Sequence, residues 1–160
     1  MTTRPDSTIR DVAQRSALWL TLGLWIGSWA LFSAIVAPTA FRVLPSAEVA
    51  GTLIGPTLRA LHLFGAGAGL VLAVLAGVLG RGPRLIAIPL IMSALCLYTH
   101  FGVSAEISEL RLLAFDPERN AGSAARFHQL HRVSVGIFTG LGAAAVLLLV
   151  LHARADRPSR

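Results

Sequence analysis

The chain contains no lysine, a single cysteine and few acids, and each shortage excludes something. Without lysine, the whole formal net charge of +6 rests on arginine. One cysteine, Cys96, rules out an intrachain disulfide, and its place inside an apolar run carries no information about redox compartment. Charged residues make up 14% of the chain, against about a quarter in soluble domains, while apolar types reach 54%. That balance belongs to membrane proteins. An arginine excess also suits nucleic acid, but these arginines bracket hydrophobic runs and form no basic stripe interleaved with aromatics, so no nucleic acid is expected as a partner. No G-x-S-x-G, C-x-x-C or phosphate-cradling loop occurs, and Ser134 has no acid near it in sequence to complete a nucleophile with His131. The sequence does not point to an enzyme. Ser134 is expected to bond back to its own helix.

What is present is long uninterrupted apolar sequence. Spans are expected at about 17–38, 58–79, 85–105 and 131–152, each meeting the roughly 20 residues a helix needs to cross about 30 Å of hydrocarbon. The runs are continuous rather than alternating, which excludes a spanning barrel. The expected fold class is all-α, an integral membrane bundle of four transmembrane helices forming one domain over the 160 residues. The first run is too long for the apolar part of a signal peptide, about 7 to 15 residues. Trp25, Trp29 and Phe32, at i, i+4, i+7, give it one bulky packing face.

The turn "GRGPRL" is short, so the second and third spans are antiparallel neighbours, with Pro83 opening the third. Arginines are more numerous on the side holding both termini and this turn, while Glu48, Glu106, Glu109, Asp116 and Glu118 gather on the other side with loop 106–126. The positive-inside rule then puts both termini in the cytoplasm, and the lipid bilayer expected is a bacterial inner membrane. Ser46 is a candidate N-cap, Pro56 suits the first turn of the second span, and Ser123 is a candidate cap for the last helix. Residues from 106 onward extend the third helix until "DP" and "NAG" break it. Small residues at Gly23 and Gly27, Gly65 and Gly69, Ala73 and Gly77, and Gly136 and Gly140 offer seams for close helix packing, within the bundle or in a homo-oligomer.

Polar groups gather at one depth. His62 and His100 fall about one turn inside the ends of the second and third spans remote from the termini, and His128 and His131 share a face at the entrance of the fourth. Only His152 lies on the other side, in the tail. Met92, Cys96 and His100, at i, i+4, i+8, form a ladder of thioether, thiol and imidazole. Such ligands select copper(I) or zinc, and a helix bundle can hold a metal or haem between facing histidines. Candidate cofactor-binding residues are therefore His62, His100 and His131, and candidate metal ligands Met92, Cys96, His100 and His128, with haem b or copper as the cofactor. Core packing and interfacial placement account for the same residues more simply. Apart from Arg59 and Arg132 at span ends, no span contains a charge, which argues against a proton relay through the midplane.

The stretches "LWIGSWALFSAIVAPTAFRVLP", "AGTLIGP" and "FHQLHRVSVGIF" carry a resemblance. They resemble the transmembrane protein 205-like family, also described as domain of unknown function 4149, over about 18–150. Matching positions are Gly27, Pro38, Phe41, Gly51, His131 and Ser134. The resemblance implies a small four-helix integral membrane protein with no settled activity. The family pattern often has an asparagine one turn after the serine, where this chain has Phe138. A more distant similarity to copper-resistance D and four-helix protoporphyrinogen oxidase-like proteins implies metal or haem by analogy alone. Three functions remain open: a ligand-binding membrane protein with its site on the outer side, a haem- or copper-binding one, and a small-solute export or permeation component.

Overall fold

The computed structural model describes residues 5–114 and 121–157. Helix α1 (Pro5–Leu31) runs through a π-helical turn, Phe32–Val36, into α2 (Ala37–Val43). Helix α3 (Ala47–Val78) returns, and α4 (Pro83–Tyr98) passes through a second π-helical turn, Thr99–Val103, into α5 (Ser104–Ala114). Helix α6 (Ala121–Ala155) closes the bundle. Among the described residues there is no strand, and four helical stretches are long and apolar enough to cross a membrane. The chain is thus an all-α membrane bundle of four spans, as its apolar runs predict.

The helices outrun the bilayer. The 32 residues of α3 make a rod about 48 Å long, against about 30 Å of hydrocarbon. Ser46 does cap α3, its Oγ accepting from the Val49 N–H at 3.2 Å. Pro56, expected in a first turn, lies well inside the helix instead, because the helix already starts at the Ser46 cap and runs on into the span without a break. Ser123 likewise lies inside α6, which already begins at the alanine-rich "AGSAAR".

Between α3 and α4 the chain reverses through a Schellman turn. The Arg81 N–H reaches the Ala76 carbonyl at 2.9 Å and the Gly80 N–H that of Gly77 at 3.0 Å. Gly80 (φ +63°) and Gly82 (φ +85°) occupy the left-handed region, where a side chain is strained.

All four spans contribute to one core. The expected bulky face turns inward, with Trp25 1%, Trp29 5% and Phe32 6% exposed, while Leu20, Leu24, Leu70 and Val74 present an apolar exterior suited to lipid. One small-residue seam is used inside the chain. A Cβ at Gly69 would stand 2.7 Å from the Pro89 carbonyl oxygen, and one at Gly65 3.0 Å from both Cys96 Sγ and Trp25 Nε1. Ser93 Oγ donates to the Ala66 carbonyl at 2.7 Å across the same contact. Gly23, Gly27, Gly136 and Gly140 have nothing within 4 Å of an added Cβ, so the bundle does not use them.

Candidate functional site

A cavity of about 430 Å³ opens at the end of the bundle remote from the termini. Two π-helical turns, each holding an extra residue in its turn, lie beside it in the first and third spans. Phe32 of the first turn enters the wall directly, and α5, launched from the second, brings Ser104 and Arg111. The α3 extension supplies Gly51 and Gly55, and α6 supplies His131 and Ser134.

Among the described residues Arg111 is the one arginine or acid in this wall. Its guanidinium lies on the bare backbone of α3: a Cβ at Gly55 would stand 2.6 Å from Nη2, and one at Gly51 3.6 Å from Cζ. Among the described residues it has no hydrogen-bond or ion-pair partner. The nearby acid Glu106 is taken by Arg126, with Nε to Oε1 at 2.7 Å and Nη2 to Oε2 at 3.2 Å, a bidentate fork. Ser134 is 3% exposed and borders the cavity. The expected bond back to its own helix is not made among the described residues, leaving the hydroxyl to the cavity. His131 stacks on Phe127 with centroids 6.2 Å apart and planes at 8°, and His128 also lines the wall.

The expected layer of histidines divides. His128 and His131 border the cavity, whereas His62 and His100 do not. His62 is fully buried, its Nδ1 2.8 Å from the Leu58 carbonyl. A carbonyl only accepts, so Nδ1 carries the proton and Nε2 presents a lone pair. That Nε2 is buried without a partner. The His62 ring meets Trp29 edge-on at 5.7 Å and Phe138 at 6.5 Å. Phe138 also lines the cavity, so it borders both histidine groups. It is held by stacking on Trp29 at 4.7 Å, whose Nε1 donates to the Phe138 carbonyl at 3.1 Å. His100 lies in the second π-helical turn and donates from Nδ1 to the Arg59 carbonyl at 3.0 Å.

On the metal ladder, Met92 and Cys96 are core residues, 2% and 0% exposed, with Cys96 against Gly65. Among the described residues no group of three or more His, Cys, Asp or Glu side chains is placed to hold a metal ion.

Two arrangements escaped sequence reasoning. One is the seat of Arg111; the Gly51-x-x-x-Gly55 spacing in "AGTLIGP" was its available sign. The other lies at the opposite end, where Asp156 Oδ1 accepts from Arg15 Nη1 and Arg81 Nη2, both at 2.6 Å, and Oδ2 from Trp19 Nε1 at 3.2 Å. His152, expected as a tail residue, is fully buried beside them, both ring nitrogens unpartnered. Its carbonyl accepts from Arg81 Nη1 at 3.0 Å. An acid one turn beyond His152 in an otherwise basic tail was the sign available there.

These features define a class: a four-helix membrane protein whose spans splay at one end around an apolar cavity with a cationic edge. The chain matches the family model described as domain of unknown function (DUF4149) over residues 20–115, more than half its length, and belongs to that family. Comparison with curated proteins and with solved structures finds no match. The matched segment holds Gly27, Pro38, Phe41, Gly51 and Arg111 and ends before α6, so His131 and Ser134 lie outside it. Of these positions Phe41, Gly51, Arg111, His131 and Ser134 meet at the cavity; Gly27 and Pro38 do not line it.

Proposed function

We propose that this protein binds an amphipathic small molecule, taken from the bilayer, in the cavity at the end of the bundle remote from the termini. The observation that carries the reading is the cavity: about 430 Å³, within the roughly 300 to 1,000 Å³ of small-molecule sites, apolar over most of its wall and polar at one edge. Irregular backbone flanks it on two spans, and π-helical turns concentrate at functional sites. On the arginine distribution we assign both termini to the cytoplasm and the chain to a bacterial inner membrane, so that the cavity opens toward the outer leaflet. The motifs around Gly27, Pro38 and His131 support the narrower transmembrane protein 205-like assignment.

The test is a cavity-filling substitution. Ser134→Phe projects a ring into the space, and native mass spectrometry of the wild type released from gentle detergent should show a bound small molecule that the variant lacks. Identical spectra for the two proteins would end the proposal.

One observation favours a second reading, a haem- or copper-binding site using His62, His100 and His131. Nε2 of His62 is a buried lone pair with no donor, and a neutral imidazole nitrogen in that state is a ligand. This reading requires a Soret band from purified protein supplied with haem b, or copper(I) uptake that falls in both His100→Ala and Cys96→Ala. A featureless spectrum with unchanged uptake removes it.

A further inference from the structure

We infer that the ligand of this cavity carries an anionic oxyanion head, a carboxylate or phosphate, that Arg111 binds; the inference rests on the cavity being a ligand site. Arg111 is held half-buried at the edge of an apolar space, where a charge without a partner is costly. Nothing in the described protein neutralises it. Among the described residues no acid lines the cavity, Glu106 is occupied by Arg126, and Glu48 and Glu109 are not in the wall.

Two glycines of α3 make room for the guanidinium. Gly51 and Gly55 remove the side chains that would fill the space between α3 and α5, and at Gly55 even a methyl group would collide with Nη2 at 2.6 Å. The planar group therefore rests against α3 backbone at the cavity edge. A guanidinium offers a rigid fork that matches carboxylate or phosphate oxygens in pairs. His128, His131 and the unbonded Ser134 hydroxyl stand in the same wall as further donors, while Phe41, Ile54, Leu58 and Phe138 supply apolar surface for a chain. Cation at the edge and hydrocarbon below is the complement of a single-chain anionic amphiphile.

The experiment uses the full chain in phosphatidylcholine nanodiscs, titrated with the fluorescent fatty acid cis-parinaric acid and with its methyl ester, in alkaline buffer where the acid is ionised. Empty nanodiscs and Ser134→Phe set the background. The acid should bind at least about tenfold more tightly than the ester, and Arg111→Gln should remove that preference while leaving ester binding in place. Gly55→Leu, which displaces the guanidinium without deleting it, should act like Arg111→Gln and covers the case in which that variant fails to fold. Displacement of the acid by inorganic phosphate would identify a free anion as the source of the head, and displacement by dodecyl phosphate alone a lipid; both support anion recognition. Equal binding of acid and ester, or a preference that survives both substitutions, overturns the inference but leaves the cavity reading intact. Binding of neither probe above background overturns the cavity reading as well.

Discussion

Arg81 and Asp156 are 75 residues apart in the chain, yet Nη2 of the first meets Oδ1 of the second at 2.6 Å. The Schellman turn after α3 aims Arg81 inward, leaving its side chain 4% exposed, and the last turn of α6 brings Asp156 over it. Arg15 and Trp19 join from α1. One carboxylate thus ties three spans together at the end opposite the cavity.

Asp156→Leu should therefore destabilise the bundle by about 2 kcal/mol, because it strands the buried Arg81 charge; the figure sits below that for a fully buried pair since Asp156 is 22% exposed. Thermal unfolding in detergent measures it. The double variant Arg81→Met/Asp156→Leu should recover part of the loss, and a single variant as stable as the wild type would show that the clamp contributes nothing.

The two kinds of glycine should respond differently to the same substitution. Gly69→Ala pushes a methyl group to 2.7 Å from the Pro89 carbonyl and should cost about 1 to 3 kcal/mol, seen as a lower unfolding temperature. Gly136→Ala meets open space and should cost nothing in the monomer, alanine being the better helix former. Equal effects would mean that α3 and α4 do not pack through Gly69.

Phe138 packs beside His62, whose Nε2 is buried without a partner. Phe138→Asn should lose the stack on Trp29 and about 1 to 3 kcal/mol of stability, while giving Nε2 an amide donor. The ¹⁵N resonance of Nε2 should then move toward its hydrogen-bonded position. A resonance unchanged from that of Phe138→Ala would mean that the amide does not reach the ring.

The assigned orientation is checked by cysteine labelling in intact cells. In a Cys96→Ala background, Glu109→Cys should react with an impermeant maleimide from outside, and Arg157→Cys only after the membrane is opened; both positions are exposed. The reverse pattern would turn the protein over and put the cavity in the inner leaflet.

Much of the bundle was legible because its causes are local. Twenty apolar residues in a row require a helix in lipid whatever surrounds them, and the inward face of Trp25, Trp29 and Phe32 follows from the helical period. Ser46 as a cap and the antiparallel pairing around "GRGPRL" were readable for the same reason. The site was less so. Periodicity brings Met92, Cys96 and His100 to one face only if the helix stays α-helical, and the π-helical turn at Thr99–Val103 begins just before His100.

The sequence by itself determined that this chain is an all-α membrane protein of four spans, since apolar length and missing charge leave no other stable state in a bilayer. Only the tertiary structure decided which polar groups matter. Arg111, readable in the chain as one arginine among fourteen, acquires its place beside two glycines some sixty residues earlier on another helix, and Phe138 stands between buried His62 and the cavity that His128 and His131 line. Those relations are contacts between spans, and beyond the Gly51-x-x-x-Gly55 spacing no local pattern encodes them.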